Sequence, residues 1–384
     1  MPQGQTASSG VVVIGGGVIG LAVAWRAAER GHAVCVLERG ELGAGTSHVA
    51  AGMLAPVTEA DAGELALLEL GLRSARAWPQ FAAELAVASG ADPGLYRCGA
   101  LVVARDGDEA AALERELALR LDLGLDVQRL LPSAARRLEP ALAPTLRLAL
   151  AVPGDHAADP RALLPALTEA ARRAGVHLRT GATVRSLCVA GGRVAGVQLA
   201  DGERVAAEHV VVAAGAWSGA IEGLPDGARI PLRPVKGQIL RLRDPRGPGL
   251  LERIVRFEGG YLVPRGDGRY VLGATVEERG FDTTVTAGAL YELLRDAGEL
   301  VPGIHELVVE ETAAGLRPAT PDNAPVLGAA GEVEGLVWAT GHHRNGILLA
   351  PVTADIVAGV LDGIAAPQAF APGRFARPRA GAAA

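Results

Sequence analysis

The chain predicts an α/β protein: a Rossmann-like dinucleotide-binding domain carrying a second, antiparallel-sheet (α+β) domain. Three observations lead there. The first fifty residues hold a strand, a G-x-G-x-x-G turn, a helix and a second strand that ends in an acid. A fully apolar strand at 210–212 runs directly into Ala213, Ala214, Gly215, Ala216 and Trp217. Between 238 and 275 the texture changes to short alternating strands, the pattern of an antiparallel sheet with one solvated face.

The elements follow in order. Val11, Val12, Val13 and Ile14 are a β-branched run that reads as a buried strand. Gly15 permits the tight turn out of it, Gly17 lets the backbone approach a pyrophosphate, and Gly20 lets the next helix lie close on the sheet. That helix runs to Arg30, and its N-terminus offers free N–H groups and the positive end of its dipole. A second apolar run at 33–37 ends on Glu38, placed to accept ribose hydroxyls and to repel the 2′-phosphate of NADP. Thr46 and Ser47 then supply hydroxyls, and Ala50, Ala51 and Gly52 a small-residue surface, such as a long flavin cofactor needs. A plain helix start capped by Thr46 or Ser47 is the alternative.

Further on, helices are expected at 62–89, at 108–123 with Leu113, Leu117 and Leu121 on one face, and from Pro160 to 174 with Gly175 as the stop. Strands are expected at 101–104, 176–178, 184–189, 194–199, 239–242, 261–263 and 270–272. Small residues directly after the 210–212 strand let the backbone press on a ligand. A last apolar strand at 336–338 is closed by Ala339, Thr340 and Gly341. The turn 342–346 leads into a helix over 347–361, whose N–H groups near Asn345, Gly346 and Ile347 are placed to stabilise charge on a reduced flavin. The dinucleotide domain is thus assembled from 1–90, 152–230 and 312–384, and the substrate domain from 91–151 and 231–311. The tail from Pro367 reads as poorly ordered.

Composition narrows the function. The formal net charge of −6 gives no basic footprint for nucleic acid. Cys35, Cys98 and Cys188 are far apart, with no C-x-x-C pair, so neither a metal site nor a disulfide framework is expected. A ten-residue polar leader leaves no room for a signal peptide, and no run approaches the ~18 apolar residues of a membrane span, so a soluble cytoplasmic protein is expected. A single G-x-G-x-x-G argues against electron traffic between flavin and nicotinamide, which usually needs two such sites.

Three segments together resemble the glycine oxidase branch of the D-amino-acid oxidase family of FAD enzymes. They are 11–56, the stretch Gly315-Leu316-Arg317-Pro318-Ala319-Thr320-Pro321-Asp322, and Gly341-His342-His343-Arg344-Asn345-Gly346-Ile347-Leu348-Leu349-Ala350-Pro351. Ala51-Gly52-Met53-Leu54 and the last segment are the specific parts. The resemblance implies non-covalent FAD, since no cysteine lies near Arg317. It also implies oxidation of glycine, sarcosine or small D-amino acids to an imine, with oxygen reduced to hydrogen peroxide. A role in making the thiazole ring of thiamine, and a homotetramer, come with it. Arg317 matches the family's carboxylate-binding arginine and Tyr261 the tyrosine that meets the same carboxylate. Arg344 matches a residue at the mouth whose backbone carbonyl accepts from the substrate amine. Met53 would form an apolar wall. Val18, Ile19, Arg39, Val184, Ala214, Gly215, Trp217, His343 and Leu348 join the cofactor set.

Two departures bear on pocket width: Gly259, where some relatives carry histidine, and Val276, where a methionine can line the pocket. His342 and His343 read as turn residues without a catalytic role, and hydride transfer from a neutral amine needs no strong protein base. Lys236, the only lysine, is a candidate for acting on oxygen, against an ordinary surface lysine. Two other readings remain: a D-amino-acid dehydrogenase that passes electrons to a quinone or carrier, and a flavin-binding protein without redox turnover.

Overall fold

The structure, a computed structural model, describes residues 9–375; the rest of the polar leader and the tail from 376 lie outside the described residues. The Ser9–Ile14 strand sits at the centre of an eight-stranded sheet. It pairs in parallel with Val34–Leu37 on one side and Arg204–Val212 on the other, with Val12 opposite both Cys35 and Val210. Leu336–Thr340 extends the parallel set beyond Arg204–Val212, and His177–Arg179 beyond Val34–Leu37. The hairpin Val184–Ala190 with Arg193–Leu199, and the strand Val326–Ala329, complete the sheet in antiparallel fashion.

The apolar runs explain this centre. A strand buried on both faces needs no alternation. Val11 and Val13 pack under the helices Val18–Glu29, Leu65–Ser89, Pro160–Arg173 and Ala350–Leu361, against Trp25, Phe81, Leu167 and Val357. Val12 and Ile14 face the opposite side with Val210, Val212, Val197 and Trp338. Cys35 belongs to this second cluster as a small buried side chain.

The second sheet also has eight strands, in the order Val308–Ala319, Arg233–Arg243, Arg269–Gly273, Gly260–Pro264, Ile254–Phe257, Ala100–Ala104, Leu148–Val152, Gln128–Leu130. It is antiparallel except where Ile254–Phe257 runs parallel to Ala100–Ala104, which corrects the expectation of a purely antiparallel sheet. Ala287–Leu300 covers one face through Leu293, Ala297 and Leu300 on Leu240, Leu262 and Leu272. The other face turns toward the first sheet.

Several boundaries differ from expectation. The limit at 311/312 falls inside Val308–Ala319, which pairs with Arg233–Arg243 over its whole length and so carries Arg317 on the second sheet. A three-stranded sheet of Met53–Leu54, His156–Ala158 and Leu95–Tyr96 ties together segments assigned to different domains. The last long helix starts at Ala350 rather than 347, with Pro351 in its first turn, where a missing N–H costs nothing. Residues 367–375 are structured: Phe370 is buried, and the Arg374 Nε donates to Asp322 Oδ2 at 2.8 Å. Lys236 is no surface lysine. It is 1% exposed, with its Nζ donating to Asp282 Oδ2 at 2.8 Å and 3.9 Å from Glu277 Oε2. Among the described residues no helix is long and apolar enough to cross a membrane.

Candidate active site

A cavity of about 860 Å³ lies between the two sheets. One wall is the C-terminal end of the parallel strands (Gly15 to Ile19, Glu38, Arg39, Ala213 to Gly215, Ala339, Thr340), and the other is a face of the second sheet. This is the crevice at the carboxyl ends of strands where open α/β sheets bind ligands.

The glycine motif is held as the sequence predicts. Gly15 has φ +107°, and a Cβ there would sit 2.5 Å from the Ala213 carbonyl oxygen. A Cβ on Gly20 would overlap the Gly15 carbonyl, so helix and strand touch backbone to backbone. Gly20 therefore acts by packing and does not line the cavity, whereas Gly17, Val18 and Ile19 do. Gly52, at φ +75°, is fixed in the same way by the Ala158 carbonyl. Glu38 accepts from the Gly16 N–H at 2.7 Å and the Gly40 N–H at 2.9 Å. That locks a carboxylate with spare lone pairs at the wall.

Thr46 does begin a short helix, Thr46–Val49, but neither hydroxyl caps it. The Thr46 Oγ1 donates to the Leu316 carbonyl at 2.9 Å, and the Ser47 Oγ accepts from the Val18 N–H at 3.1 Å. Both residues line the cavity, as do Ala50, Ala51, Gly52 and Met53. Val184, Ala214, Gly215 and Trp217 line it as well, with the Arg39 guanidinium 3.8 Å from the centre of the Trp217 ring. Cation–π contact of this kind fixes an otherwise mobile arginine.

At the far end His343, Arg344, Gly346 and Ile347 reach the wall, whereas Gly341, Asn345 and Leu348 do not. Those three hold the turn instead. Gly341 takes φ +77°, the Asn345 N–H is spent on the His342 carbonyl at 2.8 Å, and the Leu348 carbonyl accepts from Ser74 Oγ and Trp78 Nε1 at 2.6 and 2.9 Å. The Arg344 Nε stands 3.2 Å from Glu59 Oε2.

Arg317 and Tyr261 reach the cavity from the same face of the second sheet, Arg317 on the edge strand Val308–Ala319 and Tyr261 on Gly260–Pro264, three strands in. The Arg317 guanidinium lies over Gly237, where any Cβ would collide with it, and its Nη1 donates to the Thr275 carbonyl at 3.0 Å. Tyr261 leans over Gly273, whose ideal Cβ would be 2.8 Å from the phenol oxygen. Gly237 and Gly273 thus clear the space for both side chains. Neither was singled out from sequence, although a glycine inside a strand marks such close approaches. Glu59 and Arg256, also in the wall, were missed for want of any local pattern. Arg317 makes no ion pair among the described residues. Burial raises the Tyr261 pKa, opposed by Arg317, so the phenol stays a hydrogen-bond donor. Lys236 is not part of the wall; only its carbonyl reaches the site, accepting from Arg317 Nη1 at 3.3 Å.

The two histidines are held neutral. Burial pushes His342 down to about 3, with its Nε2 3.0 Å from Thr353 Oγ1. Burial, then Arg317 and Arg344, push His343 down to about 4. Between the ordinary histidine value near 6.5 and these values the unfolded chain binds protons that the folded one refuses, so stability falls as pH falls through that window. Thermal unfolding at pH 7 and pH 5 is expected to show a lower Tm at pH 5, and His343→Phe is expected to narrow the difference. An unchanged gap in that variant removes His343 from the account.

The sequence profile of the DAO family, described as FAD dependent oxidoreductase, matches residues 10–360. The chain belongs to this family. It is 37% identical to the glycine oxidase of Geobacillus kaustophilus over 92% of each chain. The crystal structure of glycine oxidase from that organism superposes with a TM-score of 0.88 at 36% identity, covering 97% of this chain and 99% of that one. The bifunctional protein ThiO/ThiG of Trichormus variabilis is 38% identical over 91% of this chain, which spans only 52% of that protein. The iminodiacetate oxidase of Chelativorans sp. BNC1 superposes with a TM-score of 0.84 at 32% identity, covering 94% of this chain and 98% of that one. FAD is accordingly the cofactor of this oxidoreductase, and the residues present fit it. Backbone is bared to a pyrophosphate at Gly15 and Gly17, a carboxylate waits at Glu38, and the cavity continues past Ala51 and Met53 to Arg317.

Proposed function

We propose that this flavoenzyme oxidises glycine, and with it sarcosine and small D-amino acids, to the imine, which for glycine water hydrolyses to glyoxylate and ammonia. The observation that carries the reading is the convergence of Arg317 and Tyr261 at one end of the flavin cavity, and the names of the relatives agree with it. Non-covalent FAD, when bound, would supply the two-electron acceptor for the substrate Cα–H hydride, with oxygen as the final oxidant and hydrogen peroxide as its product.

The protein's part is to place the substrate. The Arg317 fork, pinned by the Thr275 and Lys236 carbonyls, grips the carboxylate in bidentate fashion, and the neutral Tyr261 phenol donates to the same group. The Arg344 carbonyl accepts from the amine, while its guanidinium is tied back by Glu59. Met53 and Ile347 keep the reacting end apolar and exclude water. The imine is the species a thiamine thiazole pathway consumes, and we place the enzyme there as a cytoplasmic homotetramer.

Purified protein given glycine under air is expected to release peroxide, and its flavin to bleach when oxygen is withheld. Electrons reaching only artificial dyes would mark a D-amino-acid dehydrogenase. Flavin that never bleaches with glycine, sarcosine or D-alanine would mark a protein without redox turnover.

A further inference from the structure

The substrate end of the cavity carries more positive charge than glycine requires. Arg344 is offset by Glu59, and Arg317 serves one carboxylate. Arg256 lines the same cavity and makes neither an ion pair nor a side-chain hydrogen bond among the described residues. It lies on Ile254–Phe257 directly opposite Tyr261 of Gly260–Pro264. Directly opposed residues of an antiparallel pair project from the same face about 5 Å apart. Arg256 therefore flanks Tyr261 on the side away from Arg317, since the strands run in the order Val308–Ala319, Arg233–Arg243, Arg269–Gly273, Gly260–Pro264, Ile254–Phe257. The result is a row of guanidinium, phenol and guanidinium across one wall. Two further lining residues, Gly259 and Val276, are small.

A guanidinium fork in a part-enclosed wall, without a carboxylate of its own, matches an incoming one. We propose that Arg256 binds a second carboxylate on the substrate, so that the enzyme favours amino acids that carry one, iminodiacetate being the simplest on nitrogen. This rests on the reading of Arg317 and Tyr261 given above. The reaction is unchanged in kind. One methylene C–H leaves as hydride, the nitrogen lone pair forms C=N, and water splits the product to glycine and glyoxylate while oxygen takes the two electrons as hydrogen peroxide.

Initial rates with iminodiacetate, sarcosine and glycine test it, because sarcosine keeps the N-substituent and lacks only the carboxylate. Wild type is expected to favour iminodiacetate over sarcosine. Arg256→Gln is expected to lose about 10- to 100-fold in kcat/KM for iminodiacetate, mostly through KM, and less than about threefold for sarcosine and glycine. Arg256→Lys is expected to recover part of the loss. Glutarate, which has the shape of iminodiacetate and cannot be oxidised, is expected to raise the Tm of wild type more than butyrate does, and Arg256→Gln to cancel that difference. Iminodiacetate left inert while glycine turns over overturns this assignment alone, and so does an equal loss for all three amines in Arg256→Gln. Flavin that bleaches with none of the three overturns the glycine-oxidase reading, and this one with it.

Discussion

Arg317→Ala is expected to raise the KM for glycine by about two to four orders of magnitude while FAD remains bound. Two charged hydrogen bonds to the carboxylate are lost, each contributing about 1.5–3 kcal/mol, and the orientation they enforce goes with them. The side chain lies on the second sheet, away from Glu38, Gly15 and Gly17, so the flavin spectrum is expected to be unaltered. Arg317→Lys is expected to remain severely impaired, because an ammonium cannot reproduce the fork pinned by Thr275 and Lys236. Steady-state kinetics beside the flavin spectrum check this: wild-type kinetics in Arg317→Ala would release the residue from the site, and loss of flavin would make it a structural part of the cofactor pocket.

Gly20→Ala is expected to give protein without flavin. The added methyl overlaps the Gly15 carbonyl, and the opposing atoms are backbone, which no rotamer change can relieve. Overpacking costs about 1–3 kcal/mol where side chains yield and more where they do not. The helix must withdraw, taking with it the N–H groups of its first turn that face a pyrophosphate. Flavin absorbance of the purified variant, with and without added FAD, reads the effect alongside Tm. A yellow variant of wild-type stability would show that the helix does not depend on that contact.

What the sequence discloses here is whatever rests on neighbours along the chain. The runs Val11 to Ile14 and Val210 to Val212 announce strands buried on both faces, and the glycine spacing announces the turn, because period and steric demand are local. Val308–Ala319 escaped notice since its first residues, Val308, Val309 and Glu310, are exposed and alternate poorly; only pairing with Arg233–Arg243 makes them a strand. Ile254–Phe257 is four residues long and brings Arg256 to the wall through partners on both sides. Lys236 looks like any solvated cation until residues 277 and 282 fold over it. Glu59 enters the site through a loop whose position is set by contacts far along the chain. Cofactor chemistry was thus legible from spacing, while much of the substrate wall was written in long-range pairing.

The central sheet has a consequence for biosynthesis. Ser9–Ile14 gains its second neighbour only from Arg204–Val212, and that strand in turn is flanked by Leu336–Thr340. A growing polypeptide with 150 residues outside the ribosome therefore shows a bare, valine-rich edge, the kind of surface that recruits unwanted strands. Arg204–Val212 covers that edge and then presents its own until Leu336–Thr340 arrives, so a translational pause before residue 204 leaves Ser9–Ile14 open and a later one leaves Arg204–Val212 open.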